Sequence, residues 1–380
     1  MKIPFHSSER ASLGVEWELQ LVDRDTRELT AGAVEVLAAI TPEGLHEHPK
    51  AKHELLQSTI EVITGICSTV AEAKADLAGT IAEVAAAADA RGLDLMCAGT
   101  HPFTHWRSQE VSPKERYVQL MERMQWMARR MQIFGVHVHV GVRSGDKAFP
   151  IVNALTQYIP HFLALSASSP YWSGCDTGLA SARTKVFEGL PTAGLPYQLA
   201  DWPAFEQYME TLITTGAIES VREVWWDIRP HPNFGTVELR ICDGLPTLDE
   251  IGVVAAIAQC LVEKLDQEID RGYTLPTPAS WVLRENKWRA TRHGLDADIV
   301  VDDKGTVRPV RQAIADLAEE LAPFARKLGC EAELADVDRV LTVGASYQRQ
   351  RAVAAAHGGD LRPVVDSLVA EMRDGLPRRA

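Results

Sequence analysis

The sequence lacks an apolar run long enough to cross a bilayer. Its most apolar stretch, residues 251–262, covers only 12 residues, whereas a membrane-spanning helix needs about 20. The first residues, MKIPFHSSERASLG, do not contain the apolar core of a secretory signal peptide. We therefore expect a cytoplasmic protein that does not span a membrane.

Closely spaced cysteines are also missing. The chain has six cysteines, and none forms a C-x-x-C pair. Scattered thiols in a chain of this length are typical of reduced side chains in a cytosolic protein. The cysteines are Cys67, Cys97, Cys175, Cys242, Cys260 and Cys330.

Positive charge is scarce, and glycine-rich phosphate loops are absent. The 39 lysines and arginines stand against 52 acidic residues, which gives a net charge of −13. Such a surface repels nucleic acid and anionic lipid, so we expect neither as a partner. Neither G-x-x-x-x-G-K-[ST] nor a strand followed by G-x-G-x-x-G occurs. If the protein binds a nucleotide, metal ions rather than a glycine cradle must hold the phosphates.

Apolar periodicity and capping residues predict several helices. An alanine-rich segment, 71–91, ends at Gly92, a common helix stop. Ser112 and Thr247 each precede a glutamate by three residues, which predicts capping boxes and helices that reach about 133 and 271. Further helical patterns cover about 148–166, 202–217, 309–328 and 360–374.

The predicted strands are short and have one apolar face. In FGVHVHVGV, residues 134–142, four valines share one face, and His137 and His139 share the other. The segments SLGVEWELQLVD, QSTIEVITGI and GTVELRICDG alternate in a similar way, and LDLMCAG is a short apolar strand. Strands of this kind favour an antiparallel sheet with helices packed on its apolar face, which is an α+β fold.

Three of these strands carry a pair of chemically reactive side chains on the polar face. The pairs are Glu16 with Glu18, His137 with His139, and Glu238 with Arg240. For any one strand a solvated face is the simpler interpretation, but neighbouring like charges would destabilise a sheet unless a cation neutralised them. Oxygen-rich clusters with little lysine suit Mg²⁺ or Mn²⁺.

Other candidate residues leave alternatives open. Glu54 and Glu61 lie seven residues apart, and the sequence does not decide whether they share a face. Arg183 and Arg229 lie in segments rich in glycine and proline, which we expect to be loops. Each of these arginines, like Arg292, could form a structural ion pair, but several near a metal site suggest a polyanionic substrate such as ATP.

The motifs as a set resemble those of a known family. They run in order from about residue 10 to 295 and are similar to those of the glutamate–cysteine ligase type 2 family, most closely its carboxylate–amine ligase branch. The motifs are GVEWEL, HELLQSTIEVITGIC, GTHPF, FGVHVHVGV, SSPYWSGCDTGLASARTKVFEGLPTAGLP and DIRPHPNFGTVELRICD.

The resemblance implies a fold and a reaction. The implied fold is glutamine-synthetase-like, with a curved antiparallel sheet, helices on its convex face and the active site on its concave face. We expect one catalytic domain, 1–380, with a motif-bearing core at about 10–295 and a helical part at about 308–375. The implied reaction uses ATP to phosphorylate a carboxylate, usually that of L-glutamate, and an amine such as L-cysteine then forms an amide, with weak activity towards cysteine in this branch. A homodimer is a further expectation of the resemblance.

The resemblance also assigns roles to individual residues. The expected metal ligands, for Mg²⁺ or Mn²⁺, are Glu16, Glu18, Glu54, Glu61, His139 and Glu238. The expected catalytic residues are Arg183, Glu238 and Arg240, and Arg229, Arg292 and His137 are expected to contact the nucleotide or a substrate carboxylate.

Two alternatives remain. One is a metal-dependent amidohydrolase that uses His137 and His139, and the other is a nucleotide-binding regulatory protein without turnover.

Overall fold

The computed structural model describes residues 1–375; residues 376–380, the end of the expected domain, lie outside the described residues. The strands are β1 (Leu13–Asp23), β2 (Ala51–His53), β3 (Thr59–Ile63), β4 (Leu93–Met96), β5 (Val136–Gly141), β6 (Tyr171–Trp172), β7 (Cys175–Asp176), β8 (Ile228–His231), β9 (Thr236–Leu239), β10 (Asp298–Val300) and β11 (Val307–Pro309). The helices are α1 (Ala33–Ile40), α2 (Val70–Asp89), α3 (Glu115–Met124), α4 (Trp126–Arg129), α5 (Gly145–Leu155), α6 (Ile159–Ser166), α7 (Ala182–Phe187), α8 (Trp202–Thr214), α9 (Leu248–Asp270), α10 (Ser280–His293), α11 (Val310–Leu328), α12 (Glu331–Ala335), α13 (Val337–Val343), α14 (Ser346–Ala356) and α15 (Arg362–Asp374).

One open antiparallel sheet organises the molecule. Its strand order is β2-β3-β1-β5-β9-β8, and β4 also pairs with β1. Helix α9 packs against β5, α5 packs against β8 and β9, and α2 packs against β1 and β3. The expected α+β architecture with an antiparallel sheet is therefore confirmed. The pairs β6–β7 and β10–β11 form two small additional sheets.

The apolar face of the sheet is the centre of the main core. Trp17 of β1 is fully buried, and its indole N–H donates to the carbonyl of Leu245 at 3.0 Å. The valines of β5 are buried in the same cluster as the apolar residues of α9. Because side chains alternate along a strand, burying this face directs the polar side chains of β1, β3, β5 and β9 to the opposite face.

Most of the predicted helices are present within a few residues. Thr69 caps α2 with a full capping box to Glu72, and Thr247 caps α9 by accepting from the Glu250 backbone N–H at 3.2 Å. The capping box predicted at Ser112 was wrong. Helix α3 begins after Lys114, and its path breaks at Gln125, where φ is +48°.

The two segments predicted as loops around Arg183 and Arg229 contain regular structure, which corrects that expectation. Arg183 lies on α7, whose N-cap Ser181 accepts from the Thr184 backbone N–H. Arg229 lies on β8. Pro230 is tolerated in β8 because this strand lies at the edge of the sheet, where one row of backbone groups needs no partner strand.

The C-terminal helices pack onto the sheet-bearing part of the chain. Helix α11 contacts α9 and α6, and α15 contacts β4. The buried Arg349 guanidinium lies 2.9 Å from both Glu250 of α9 and Glu371 of α15. Within residues 1–375, none of the helices combines the length and apolarity needed to span a bilayer.

Two alanine substitutions test the difference between the two predicted capping boxes. Thr247→Ala should lower stability by about 1–2 kcal/mol, because the hydroxyl caps α9 and also donates to the Glu250 carboxylate at 2.8 Å. Ser112→Ala should change stability by no more than about 0.5 kcal/mol, because the buried Ser112 hydroxyl has no hydrogen-bond partner within the described chain. Denaturant midpoints measure both, and equal losses would contradict the capping assignment.

Candidate active site

The polar faces of four neighbouring strands meet at one place. The register pairs Glu16 of β1 with His137 of β5, and His139 of β5 with Glu238 of β9. It also pairs Glu18 of β1 with Glu61 of β3. Pairing and alternation therefore bring together side chains that lie far apart in the sequence.

Two groups of these side chains could hold a divalent cation. In the part of the chain that the structure describes, Glu16, His137 and Glu238 bring ligand atoms within 4.8 Å of one another, and so do Glu18, Glu61 and His137. The Glu61 carboxylate makes no hydrogen bond or ion pair with any described residue, although it faces Glu18. An unpaired carboxylate among like charges fits an oxygen-preferring cation such as Mg²⁺ or Mn²⁺.

On the β3 side of the site, burial and repulsion between carboxylates raise the carboxylate pKa values. Burial and the nearby Glu54 charge raise the pKa of Glu18 to about 7. Burial, followed by repulsion from Glu16, Glu54 and Glu18, raises the pKa of Glu61 well above its ordinary value. Burial also raises the pKa of Glu54. On this side, burial and repulsion outweigh the nearby arginines, and a bound cation would offset that imbalance.

On the β5–β9 side, attraction to positive charges lowers the carboxylate pKa values in spite of burial. Although burial opposes its charge, Glu16 has a lowered pKa because of the charge of His139 and a 2.9 Å hydrogen bond with His137 Nδ1. Burial opposes charge at Glu238 as well, but Arg229 and Arg240 hold its pKa well below the ordinary value. Glu16 and Glu238 are therefore the carboxylates that the site holds most firmly in the charged form.

The buried Arg229 and the half-buried Arg240 clamp Glu238. Arg229 reaches both carboxylate oxygens, with Nε at 2.7 Å and a terminal nitrogen at 3.3 Å, and it also donates to the Val224 carbonyl at 2.8 Å. Arg240 donates to the same carboxylate and lies 3.4 Å from His137 Nδ1. The Arg240 Nε has no partner in residues 1–375, so this guanidinium keeps unused hydrogen-bonding capacity at the site.

Backbone carbonyls fix a third arginine, Arg183. Its terminal nitrogens donate to the carbonyls of Ile241 and Arg240 at 3.3 and 3.2 Å. The buried Asp243 carboxylate lies 3.9 Å away and accepts hydrogen bonds from the Ser181 hydroxyl that caps α7 and from Ser169. These contacts therefore hold the Arg183 guanidinium in a fixed orientation.

A cavity of about 470 Å³ covers the β3 side of this face. Its floor includes Glu18, Glu54 and Glu61, and its walls include Arg183, Arg229 and Arg240. A volume of this size is in the range of small-molecule sites, which run from about 300 to 1,000 Å³. Acidic and guanidinium groups thus line one cavity that opens to solvent.

The structure gathers all but one of the residues singled out in the sequence. Glu16, Glu18, Glu54, Glu61, His137, Arg183, Arg229 and Arg240 line the cavity, and His139 and Glu238 lie beside it on the same face. Arg292 is the exception, because its guanidinium donates to the Gly178 carbonyl and does not line the cavity.

The two histidines differ in their position relative to the candidate ligand groups, and their expected roles stay predictions. His137, expected near the nucleotide, belongs to both groups of candidate metal ligands. His139, expected as a ligand, belongs to neither group, although its Nε2 lies 3.2 Å from a Glu16 oxygen outside hydrogen-bond geometry. The sequence pattern H-V-H could not distinguish them, because both imidazoles share one face.

Several residues of the site had no sequence signal. Arg116 of α3 lines the cavity, and its charge acts on Glu54 and Glu61. Phe187 and Met131 line the opposite wall. Their contribution depends on how α3, α4 and α7 pack over the sheet, and local periodicity carries no information about that packing.

Comparison with known proteins identifies the family. The sequence model of glutamate–cysteine ligase family 2 matches residues 12–367. A Frankia casuarinae protein provisionally named glutamate–cysteine ligase 2-1 is 61% identical over 378 residues, which cover 99% of each chain. A Thermobifida fusca protein provisionally named glutamate–cysteine ligase 2 is 58% identical over 379 residues, which cover 99% of this chain and 94% of the relative. The chain belongs to glutamate–cysteine ligase family 2, and the predicted resemblance is confirmed.

Solved structures show the same fold at low identity. A Francisella tularensis glutamate–cysteine ligase, solved in complex with AMP, aligns with a TM-score of 0.69 and 12% identity over 98% of this chain and 93% of that one. A bifunctional glutathione synthetase from Pasteurella multocida aligns with a TM-score of 0.70 and 12% identity over 96% of this chain and 52% of that one. The glutamine-synthetase-like fold is thereby confirmed.

Removing one carboxylate tests the candidate metal centre. Glu61→Gln should raise the melting temperature in EDTA by a few degrees, because one member of a buried like-charged cluster becomes neutral. The further rise that excess Mg²⁺ or Mn²⁺ produces in the wild type should shrink in the variant. Thermal denaturation measures both effects.

The exposed Glu35 of α1 offers a matched control. Glu35→Gln should leave the metal-dependent rise unchanged. An equal metal-dependent rise in the Glu61→Gln variant and in the wild type would contradict the assignment of Glu61 as a ligand.

Proposed function

We propose that this protein is an ATP-dependent carboxylate–amine ligase that joins L-glutamate, or a similar carboxylate, to an amine. The supporting observation is the shared cavity, in which the carboxylate cluster of Glu18 and Glu61 lies against the guanidinium groups of Arg183 and Arg240. The substrate carboxylate and the γ-phosphate of ATP are both anions, so bringing them together requires positive charge. Cations held by the carboxylates, together with fixed arginines, would supply that charge.

The comparisons support this proposal from two directions. The relatives are named as glutamate–cysteine ligases, which suggests L-glutamate as donor and L-cysteine as one acceptor. The Francisella enzyme was solved with AMP, which supports an adenine nucleotide as co-substrate. We propose that turnover with cysteine is weak.

The candidate metal ligands are those that fit the geometry above. An ion would be held either by Glu18, Glu61 and His137 or by Glu16, His137 and Glu238, because a neutral imidazole has one free nitrogen lone pair and can serve only one group at a time. Mg²⁺ or Mn²⁺ bound there would supply positive charge to the phosphate oxygens.

The reaction needs two balanced steps. A carboxylate oxygen first attacks the γ-phosphorus of ATP, the bond from that phosphorus to the β–γ bridging oxygen breaks, and ADP leaves. The amine lone pair then forms a C–N bond with the acyl-phosphate carbon, the C–O bond to phosphate breaks, and inorganic phosphate and a proton are released. Such chemistry depends on positioning and charge rather than on covalent help from the protein.

The arginines have distinct proposed roles. Arg240 has an unused Nε beside the acidic groups, so we assign it to the transferring phosphoryl group. Arg183 is held by carbonyls at the edge of the cavity, so we assign it to the substrate carboxylate. Arg229 is occupied by Glu238 and two carbonyls, and we assign it the task of holding Glu238 charged.

Trapping with hydroxylamine tests the proposal without a natural acceptor. Hydroxylamine is small and intercepts an acyl phosphate, so the wild type should form a hydroxamate only with ATP, a divalent metal and L-glutamate or a related carboxylate. Arg240→Lys keeps the charge but loses the planar fork, and should lower hydroxamate formation about 10²-fold or more.

Arg326→Lys, on an exposed position of α11, is the matched control and should retain wild-type rates. The absence of ATP-dependent hydroxamate with every carboxylate offered, or full activity of Arg240→Lys, would refute the assignment. Product release without ATP would favour the amidohydrolase instead.

A further inference from the structure

The site face has two ends of different character. Beyond His139, the end at β8 and β9 carries His231 and Phe234, whose rings stack with centroids 4.1 Å apart and an interplanar angle of 12°. Phe234 is 56% exposed and contacts the His139 ring at 5.7 Å. This end offers a flat aromatic surface to solvent, which suits a planar base. The other end is the cavity, which leaves that space for the smaller substrates.

One wall of the cavity is apolar. The wall combines residues of α4 and the α4–β5 connection with residues at and just after the end of α7, and we call it the apolar wall: Ala128, Met131, Ile133, Phe187 and Leu190. The two segments pack closely, because a Cβ at Gly189 would lie 2.2 Å from the Met127 methyl group. Leu120 of α3 extends the same lining.

Arg183 lies where the apolar wall adjoins the charged side chains of the cavity. The Arg183 guanidinium lies 5.7 Å from the centre of the Phe187 ring. A molecule whose reacting end is near Arg183 can therefore lay its remaining part against Phe187 and its neighbours. The wall supplies no side-chain hydrogen-bond donor, so a phosphate or a carboxylate has nothing to bind there.

Cysteine does not fit this wall well. Its side chain ends one atom beyond Cβ and would leave the partly exposed surface of the wall, at Met131 and Ile133, uncovered. In a hydrophobic pocket, one methylene of missing contact costs about 10- to 200-fold in discrimination. A larger apolar side chain covers more of the wall and displaces more water from it.

We propose that the acceptor is an amine with a bulky apolar side chain, of the leucine or phenylalanine class, bound against the apolar wall. This inference rests on the proposed function, because it names the second substrate of the same ligase. The acceptor nitrogen attacks the acyl-phosphate carbon near Arg183, phosphate leaves with the C–O bonding electrons, and the nitrogen loses one proton to the solvent.

Kinetics across a panel of amines test the proposal. ATP, Mg²⁺ and the carboxylate identified by hydroxamate formation are held constant, and ADP release and the amide mass are measured with L-leucine, L-phenylalanine, L-alanine and L-cysteine. Leucine or phenylalanine should exceed alanine and cysteine in kcat/KM by about tenfold or more.

A near-isosteric variant links the preference to the wall. Met131→Gln places an amide on the apolar wall and should lower the ratio of leucine to alanine kcat/KM severalfold. Met124→Gln makes the same change at a residue outside the cavity lining and should keep the wild-type ratio.

Each remaining outcome overturns the proposal in a recognisable way. Hydroxamate formation without a preference for apolar amines, or with cysteine preferred, overturns the acceptor class and leaves the ligase function intact. If Met131→Gln raises the KM for ATP and leaves the ratio of leucine to alanine kcat/KM unchanged, the apolar wall binds the nucleotide instead. No hydroxamate at all would refute the ligase function together with this inference.

Discussion

The main constraint on the site is that the sheet holds two half-buried carboxylates face to face. Glu18 and Glu61 are register partners on β1 and β3, and burial and mutual repulsion raise the pKa of both. Like charges in this position destabilise a sheet. The large apolar core behind the strands offsets that cost, and a bound cation would remove it. The most strained electrostatic point of the fold is thus also the point best suited to bind a metal ion.

The positive charges around this point are fixed by backbone atoms rather than by long, mobile side-chain pairs. Arg183 donates to two carbonyls, and Arg229 donates to two others while it clamps Glu238. A guanidinium held in this way loses little further freedom when it binds an anion, because its orientation is already set. Arg240 differs, since its Nε remains unpaired within the described chain.

The sequence predicted those parts of the site that depend on strand alternation. The pairs at Glu16/Glu18, His137/His139 and Glu238/Arg240 needed only a period of two and an apolar reverse face to be placed together. Alternation could not show that Ser112 fails as a cap or that Arg183 lies on a helix, because both depend on tertiary contacts. The Ser112 backbone N–H donates to the Leu55 carbonyl, and the N-cap of α7 is anchored by Asp243. It also could not choose between His137 and His139, or detect the apolar wall, because these depend on packing across the sheet.

Register connects stability to chemistry in this fold. A slip of one residue between β1 and β5 would move valines such as Val138 to the site and turn His137 into the core, so the apolar face permits only one register. The same alignment that buries those valines places Glu16 opposite His137 and His139 opposite Glu238. The charged groups therefore need not stabilise their own arrangement. The hydrophobic layer stabilises it instead, so within the described chain the Glu61 carboxylate can remain without a hydrogen bond or ion pair.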